Sequence, residues 1–224
     1  MNVRGLVWKR SFVTNVKKKN PFIVGKPVVL AIDIQQGSFV PPPPNFHLPL
    51  MPDTIERMSR TRRVIDAARA ADIPVIFFQE IHRASLIDFG RELDGSEGPH
   101  CIGGRPGTPI ARNVVGLRED DYVIKKRRYS CFFSTELEIL LKALKAETLI
   151  LIGGFTDVCI HYTFVDGHQH DYHCRVVHDC VAGSSIKAHT ASLEAMEYLQ
   201  HGANVDCAYT VDAFAQHAGK GVGA

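Results

Sequence analysis

Five apolar runs of strand length punctuate the chain, each ended by residues that interrupt a strand. PVVLAIDI (27–34) runs from Pro27 to the polar Gln35-Gln36-Gly37, and IPVIFFQ (73–79), DYVIKK (121–126), ETLILIGG (147–154) and CRVVHDCV (174–181) follow. Most are continuously apolar rather than alternating, which is the pattern of strands buried on both faces. NVDCAYT (204–210) is expected as a last strand. Asp53 and Thr54 are placed to cap a helix through IERMSRTRRVIDAARAA, where Ile55, Met58, Arg62, Ile65 and Ala68 recur at helical spacing. Further helices are expected over 135–146, 157–171 and 186–201. Pro41–Pro44 reads as an extended loop, because proline fixes φ and lacks a donor.

Buried strands alternating with helices predict a three-layer α/β/α domain with a mostly parallel central sheet. In such a sheet the ligand site lies beyond the carboxyl ends of the strands. That rule singles out Asp33, Lys125 or Lys126, and the segment after Gly154.

Composition changes this picture little. With 45% hydrophobic and 22% charged residues in 224, the chain has a soluble globular make-up and is long enough for one substantial core. Lys and Arg exceed Asp and Glu by only two, so charge gives no reason to expect nucleic acid or an acidic membrane as partner. No run reaches membrane-spanning length. Residues 1–26 form a basic N-terminal extension (Arg4, Lys9, Arg10, Lys17, Lys18, Lys19) without a secretory apolar stretch, read as a solvated or subunit-contacting arm. The six cysteines form no CxxC pair, and a reducing, cytoplasmic setting is expected.

The chemistry concentrates in ETLILIGGFTDVCIHYTFV (147–165), a strand, a Gly-Gly turn and a helix that Thr156 or Asp157 can cap. Cys159 then sits in the first helical turn, where the helix dipole favours an anion and lowers a thiol pKa. A thiol nucleophile acting on an amide needs a proton acceptor and a cation, since the thiol must lose a proton and the leaving nitrogen must gain one. Asp33 suits the acceptor, because a carboxylate inside LAIDIQ is costly unless paired or functional. Alternation sends Lys125 and Lys126 to opposite faces, and periodicity does not choose between them. Cys131 has no acid or turn beside it and reads as packing; no GxSxG elbow exists anywhere in the chain.

VVLAIDIQ, KRRYSCFFSTELEILL and LILIGGFTDVCIHYT, in that order, resemble the three signature regions of the isochorismatase-like cysteine hydrolases, over roughly residues 27–210. The resemblance selects Lys126 and implies an Asp33–Lys126–Cys159 triad. It also implies a cis peptide at Gly154–Phe155 and an oxyanion hole from the backbone N–H groups of Phe155 and Cys159. Because isochorismatase proper lacks the cysteine, Cys159 points to the carbon–nitrogen hydrolases of the family, such as nicotinamidases, N-carbamoylsarcosine amidases and ureido hydrolases. A small-molecule substrate and a homo-oligomer, dimer or tetramer, are expected with it. The hydrolase domain would span 27–214, with 215–224 as a C-terminal tail.

Gln35, Phe39, Tyr129 and Gly154 are expected to wall the pocket, with Phe155 and the proline loop. Nicotinamidases carry an Asp-x-His and a later His that bind a divalent metal, and Glu80-Ile81-His82 with His100 fall in similar places. Glu stands where that pattern has Asp, so these are metal candidates and no cofactor is expected to be required. His161, His168, His170 and His173 do not converge at helical spacing and read as a solvated or subunit-contacting face. A metal-assisted nicotinamidase-type enzyme and a catalytically silent binding protein on the same fold are the alternatives.

Overall fold

A computed structural model describes residues 20–41 and 51–221 of the chain. Six strands, β1 (Lys26–Ile32), β2 (Val75–Glu80), β3 (Tyr122–Lys126), β4 (Ala146–Phe155), β5 (His173–Ala182) and β6 (Asn204–Val205), form one sheet in the order β3-β2-β1-β4-β5-β6. Every pairing is parallel. The helices are α1 (Thr54–Ala70), α2 (Arg112–Val115), α3 (Leu137–Leu144), α4 (His161–Gln169), α5 (Ile186–Leu199) and α6 (Cys207–Gly221).

The continuous apolar runs are explained by two cores, one on each face of the sheet. Along β1, Val29 and Ala31 join Val64, Ile65 and Phe214 of α1 and α6, whereas Val28, Leu30 and Ile32 join Leu137, Phe164 and Met196 of α3, α4 and α5. Successive side chains of a strand point to opposite faces, so each must be apolar when both faces are covered. The chain leaves β1 in both directions, to β2 and β3 on one side and through β4 to β5 and β6 on the other. This reversal of strand order puts the site crevice at the carboxyl ends of β1 and β4.

Five sequence expectations are corrected here. The last strand is only Asn204–Val205, and Cys207 begins α6, which runs to Gly221 and takes in most of the supposed C-terminal tail. Its apolar face, carrying Cys207 and Phe214, packs against α1. In α1 the buried face is Arg57, Thr61, Val64, Ile65 and Ala68, so Ile55, 71% exposed, lies around the helix from it. Asp53 occupies the N-cap position at φ 65 and makes no side-chain cap bond. Residues 20–25, read as part of the basic extension, lie against the domain: Phe22 is in the core, and the Val24 N–H donates to Thr148 Oγ1 at 2.9 Å. Residues 1–19 and the Pro42–Pro44 part of the proline loop fall outside the described residues.

Candidate active site

Four strand ends bring four side chains together. Asp33 follows β1, Glu80 closes β2, Lys126 closes β3 and Cys159 lies just beyond β4. Asp33 turns out of the strand at φ 51, a left-handed conformation that Asp tolerates better than most residues. Gly153, at φ 108, lets β4 run hard against β1: a Cβ there would meet the Ile32 carbonyl oxygen at 2.2 Å. Gly154 has no such constraint; a Cβ on it would meet that oxygen at 3.4 Å and the Cys159 Cβ at 3.5 Å.

Lys126 is 1% exposed, while Lys125 points outward. Its Nζ lies 2.8 Å from Asp33 Oδ2, 2.8 Å from Glu80 Oε2, 3.0 Å from the Arg128 carbonyl oxygen and 3.5 Å from Cys159 Sγ. Glu80 Oε2 is also 3.9 Å from Cys159 Sγ, and the Glu80 N–H donates to Asp33 Oδ1 at 3.1 Å. The other Glu80 oxygen, Oε1, faces His100 Nε2 at 2.8 Å and His82 Nε2 at 3.2 Å.

Two carboxylates thus share one lysine, and their surroundings drive them apart. Burial raises both, but Glu80 also receives the Lys126 charge and hydrogen bonds from His100 and His82, which hold it well below the usual carboxylate range. For Asp33 burial prevails over Lys126, and the neighbouring Glu80 charge adds to the rise. Burial likewise pushes the Cys159 thiol well up, against Lys126 and with the help of Asp33 and Glu80. The surroundings of Cys159 thus favour the neutral thiol, and those of Asp33 raise its proton affinity. The Lys126 ammonium is held well above its usual range, the Asp33 and Glu80 carboxylates outweighing its burial.

The metal candidates form a compact cluster beside this group. Ligand atoms of Glu80, His82, Glu92 and His100, all buried, lie within 4.8 Å of one another. Glu92 was not singled out by sequence; it sits on the 3-10 turn Gly90–Asp94, in a polar stretch with no periodic signal. Neither Glu92 oxygen accepts a hydrogen bond among the described residues, though His82 Nε2 is 3.4 Å from Oε2. Two imidazoles and two carboxylates, one of them short of donors, fit a divalent cation. The same acids also suit protonated imidazoles. His100, lowered by burial but raised further by Glu80, comes to about 9, and His82 is raised by Glu80 and Glu92 against its burial.

A cavity of about 330 Å³ opens over Asp33, Glu80, His100 and Cys159. Gln35, Phe39, Tyr129, Gly154 and Phe155 all line it. Gln35 is also a clamp: it accepts from the Glu80 N–H at 3.0 Å and donates to the Glu80 and Thr108 carbonyls. The turn into the helix differs from expectation in two respects. All peptide bonds among the described residues are trans, Gly154–Phe155 included; β4 stays extended through Phe155, which pairs with Ala182. Neither Thr156 nor Asp157 caps the helix, because Thr156 Oγ1 contacts His189 Nδ1 at 2.7 Å and the Asp157 carboxylate accepts from Ser184. Thr156–Ile160 instead forms a π-helical turn with Phe155 at the N-cap, and Cys159 lies inside it.

Cys131 is fully buried, and its N–H donates to Thr163 Oγ1. Cys101, by contrast, also lines the cavity. The four histidines after Cys159 disperse: His168 Nδ1 accepts from Gln200 Nε2, His170 stacks on Phe132, His161 Nδ1 is buried with no partner among the described residues, and His173 begins β5.

Residues 27–208 match the family model described as isochorismatase domain. Among curated relatives, a protein of Arabidopsis thaliana named "Probable inactive nicotinamidase" is 34% identical over 137 residues, 58% of this chain and 69% of that one. The maleamate amidohydrolase of Pseudomonas putida is 28% identical over 174 residues, covering 75% of this chain and 78% of that one. Among solved structures, an isochorismatase-like hydrolase from Alkaliphilus metalliredigens superposes with a TM-score of 0.72 at 24% identity, over 85% of this chain and 100% of that one. At that identity the likeness bears on the fold alone.

Proposed function

The chain belongs to the isochorismatase family, and from that premise we propose that it hydrolyses a carbon–nitrogen amide bond of a small carboxamide, carbamoyl or ureido substrate through a thioester on Cys159. The observation that carries the reading is the convergence of Asp33 and Cys159, both lining the cavity, on the Lys126 ammonium, which lies 2.8 Å from the carboxylate and 3.5 Å from the thiol sulfur. Sγ attacks the carbonyl carbon while its proton passes to Asp33, so the negative charge moves from the carboxylate to the former carbonyl oxygen, and the Lys126 charge stabilises the thiolate as it develops. Asp33 then protonates the leaving nitrogen, ammonia or an amine departs, and Asp33 takes a proton from the water that cleaves the thioester. The backbone N–H groups of Phe155 and Cys159 are the proposed oxyanion donors. Glu80, held well below the usual carboxylate range by Lys126, His100 and His82, holds Lys126 from the other side without taking the proton.

A second reading is favoured by the Glu80, His82, Glu92 and His100 cluster. Those residues would hold a divalent cation, which supplies a Lewis-acidic point for a heteroatom of the substrate. We propose that turnover does not require it, because nucleophile, proton carrier and positive charge are all supplied by the chain. The experiment is ammonia release from nicotinamide, biuret, ureidoacrylate, N-carbamoyl amino acids and maleamate, by wild type and Cys159→Ala. Release by the wild type and none by the variant is expected; equal release by both would contradict the proposal.

A further inference from the structure

Two arginines line the cavity without an acid to pair with. Arg57, in the first turn of α1, is 6% exposed; its guanidinium donates to the carbonyls of Pro52 at 2.9 Å and Met51 at 3.2 Å and to Thr54 Oγ1 at 3.2 Å. All three acceptors are neutral. Arg105 is exposed on the wall contributed by the loop that also carries His100 and Thr108. The chain's 24 Asp and Glu all fall within the described residues, and among these no carboxylate oxygen lies within 4.0 Å of either guanidinium. The cavity's own carboxylates are committed elsewhere: Asp33 and Glu80 to Lys126, and Glu97 to the neighbourhood of His100, 3.9 Å away. Much of the remaining lining, such as Phe39, Val40, Met58 and Val158, is apolar.

A buried cation held by two carbonyls and a hydroxyl, with no carboxylate beside it among the described residues, carries a charge left without a counter-charge, and an arginine fork matches a carboxylate in charge and geometry. We infer that Arg57 and Arg105 form the subsite for a carboxylate on the substrate, remote from the amide that is cleaved. The substrate class is therefore a short acid amide or acid ureide, small enough for about 330 Å³, rather than a neutral carboxamide. This rests on the amidohydrolase reading for the position of the scissile bond, but its recognition step is testable without turnover.

Titration calorimetry on Cys159→Ser, with maleamate and its neutral diamide maleamide as probes, makes the comparison at constant shape. Maleamate should bind at least about tenfold more tightly than maleamide, the scale of one charge-assisted hydrogen-bonded pair. Adding Arg105→Gln, an exposed position that does not test the core, should remove most of that preference and leave maleamide within about twofold. Arg57→Lys keeps the buried charge but not the fork, and should weaken maleamate while the circular dichroism spectrum is unchanged. Equal binding of the two probes, or maleamate binding unaffected by Arg105→Gln, would overturn the inference. Wild-type hydrolysis of neutral amides with no carboxylate preference would sink this inference alone, whereas Arg105-dependent binding of maleamate without hydrolysis of any amide would sink the catalytic reading alone.

Discussion

Asp33 and Glu80 compete for the single ammonium of Lys126, and the competition assigns their work. Paired titratable groups pushed in opposite directions are how a site separates a proton carrier from a fixed charge. Asp33→Asn, Lys126→Ala and Cys159→Ala should each lower kcat by roughly three orders of magnitude or more with the fold retained, and double variants should lose little further, because the three act as a unit. Glu80→Gln makes a different prediction. It removes a negative charge that raises Asp33 and leaves Lys126 to Asp33 alone, so the Asp33 pKa falls and the acid limb of the kcat/KM pH profile moves to lower pH. An unmoved limb in chelator-treated enzyme would contradict the role given to Glu80. The residues that meet here were legible in unequal degree. Asp33 and Cys159 stand out as polar groups ending apolar runs, but choosing Lys126 took the resemblance. Glu92 and Arg57 carried no signal, since one lies on an irregular turn and the other reads as a solvated helix face until the fold buries it.

Among the elements, the end of β4 matters most, because it delivers Cys159, the proposed nucleophile. Gly153→Ala should cost roughly 3 kcal/mol or more in chemical denaturation, combining a left-handed φ with a Cβ placed against the Ile32 carbonyl; Gly154→Ala, with ordinary contact distances, should cost far less. The sequence marks a Gly-Gly turn but cannot say which glycine is constrained, since that depends on how closely β1 approaches. The strands were legible because burial on both faces makes them continuously apolar. NVDCAYT failed as a strand because Cys207 and Phe214 face α1 at helical spacing, and the short apolar run looked the same in either state. The loop carrying His100 gives a pH prediction. Its folded pKa of about 9 stands above the ordinary 6.5, so the stabilisation is complete below about 6.5 and is lost as pH rises through about 9. With chelator present, the melting temperature should fall across that interval, and His100→Gln should flatten the fall.

At the scale of the whole molecule, a six-stranded parallel sheet brings the ends of β1, β2, β3 and β4 to one edge of a single domain, and the reversal of strand order between β1 and β4 opens the cavity there. The family architecture was readable from the order of buried strands and helices, whereas the cavity's charges were not, because its walls come from the loops after β1 and β2 and from the start of α1. Dialysis against a strong chelator should leave turnover intact; loss of activity restored by zinc, manganese or iron would instead make Glu80, His82, Glu92 and His100 a required metal site. The central claim is that covalent chemistry runs through one of six thiols. Intact-protein and peptide mass spectrometry after rapid acid quench, using an amide or ester analogue with a good leaving group, reads it directly. An acyl adduct should accumulate on the peptide containing Cys159, and added hydroxylamine should divert it to a hydroxamate. An adduct on Cys101, which shares the cavity, or on Cys131, or turnover with no adduct on any cysteine, would contradict the account.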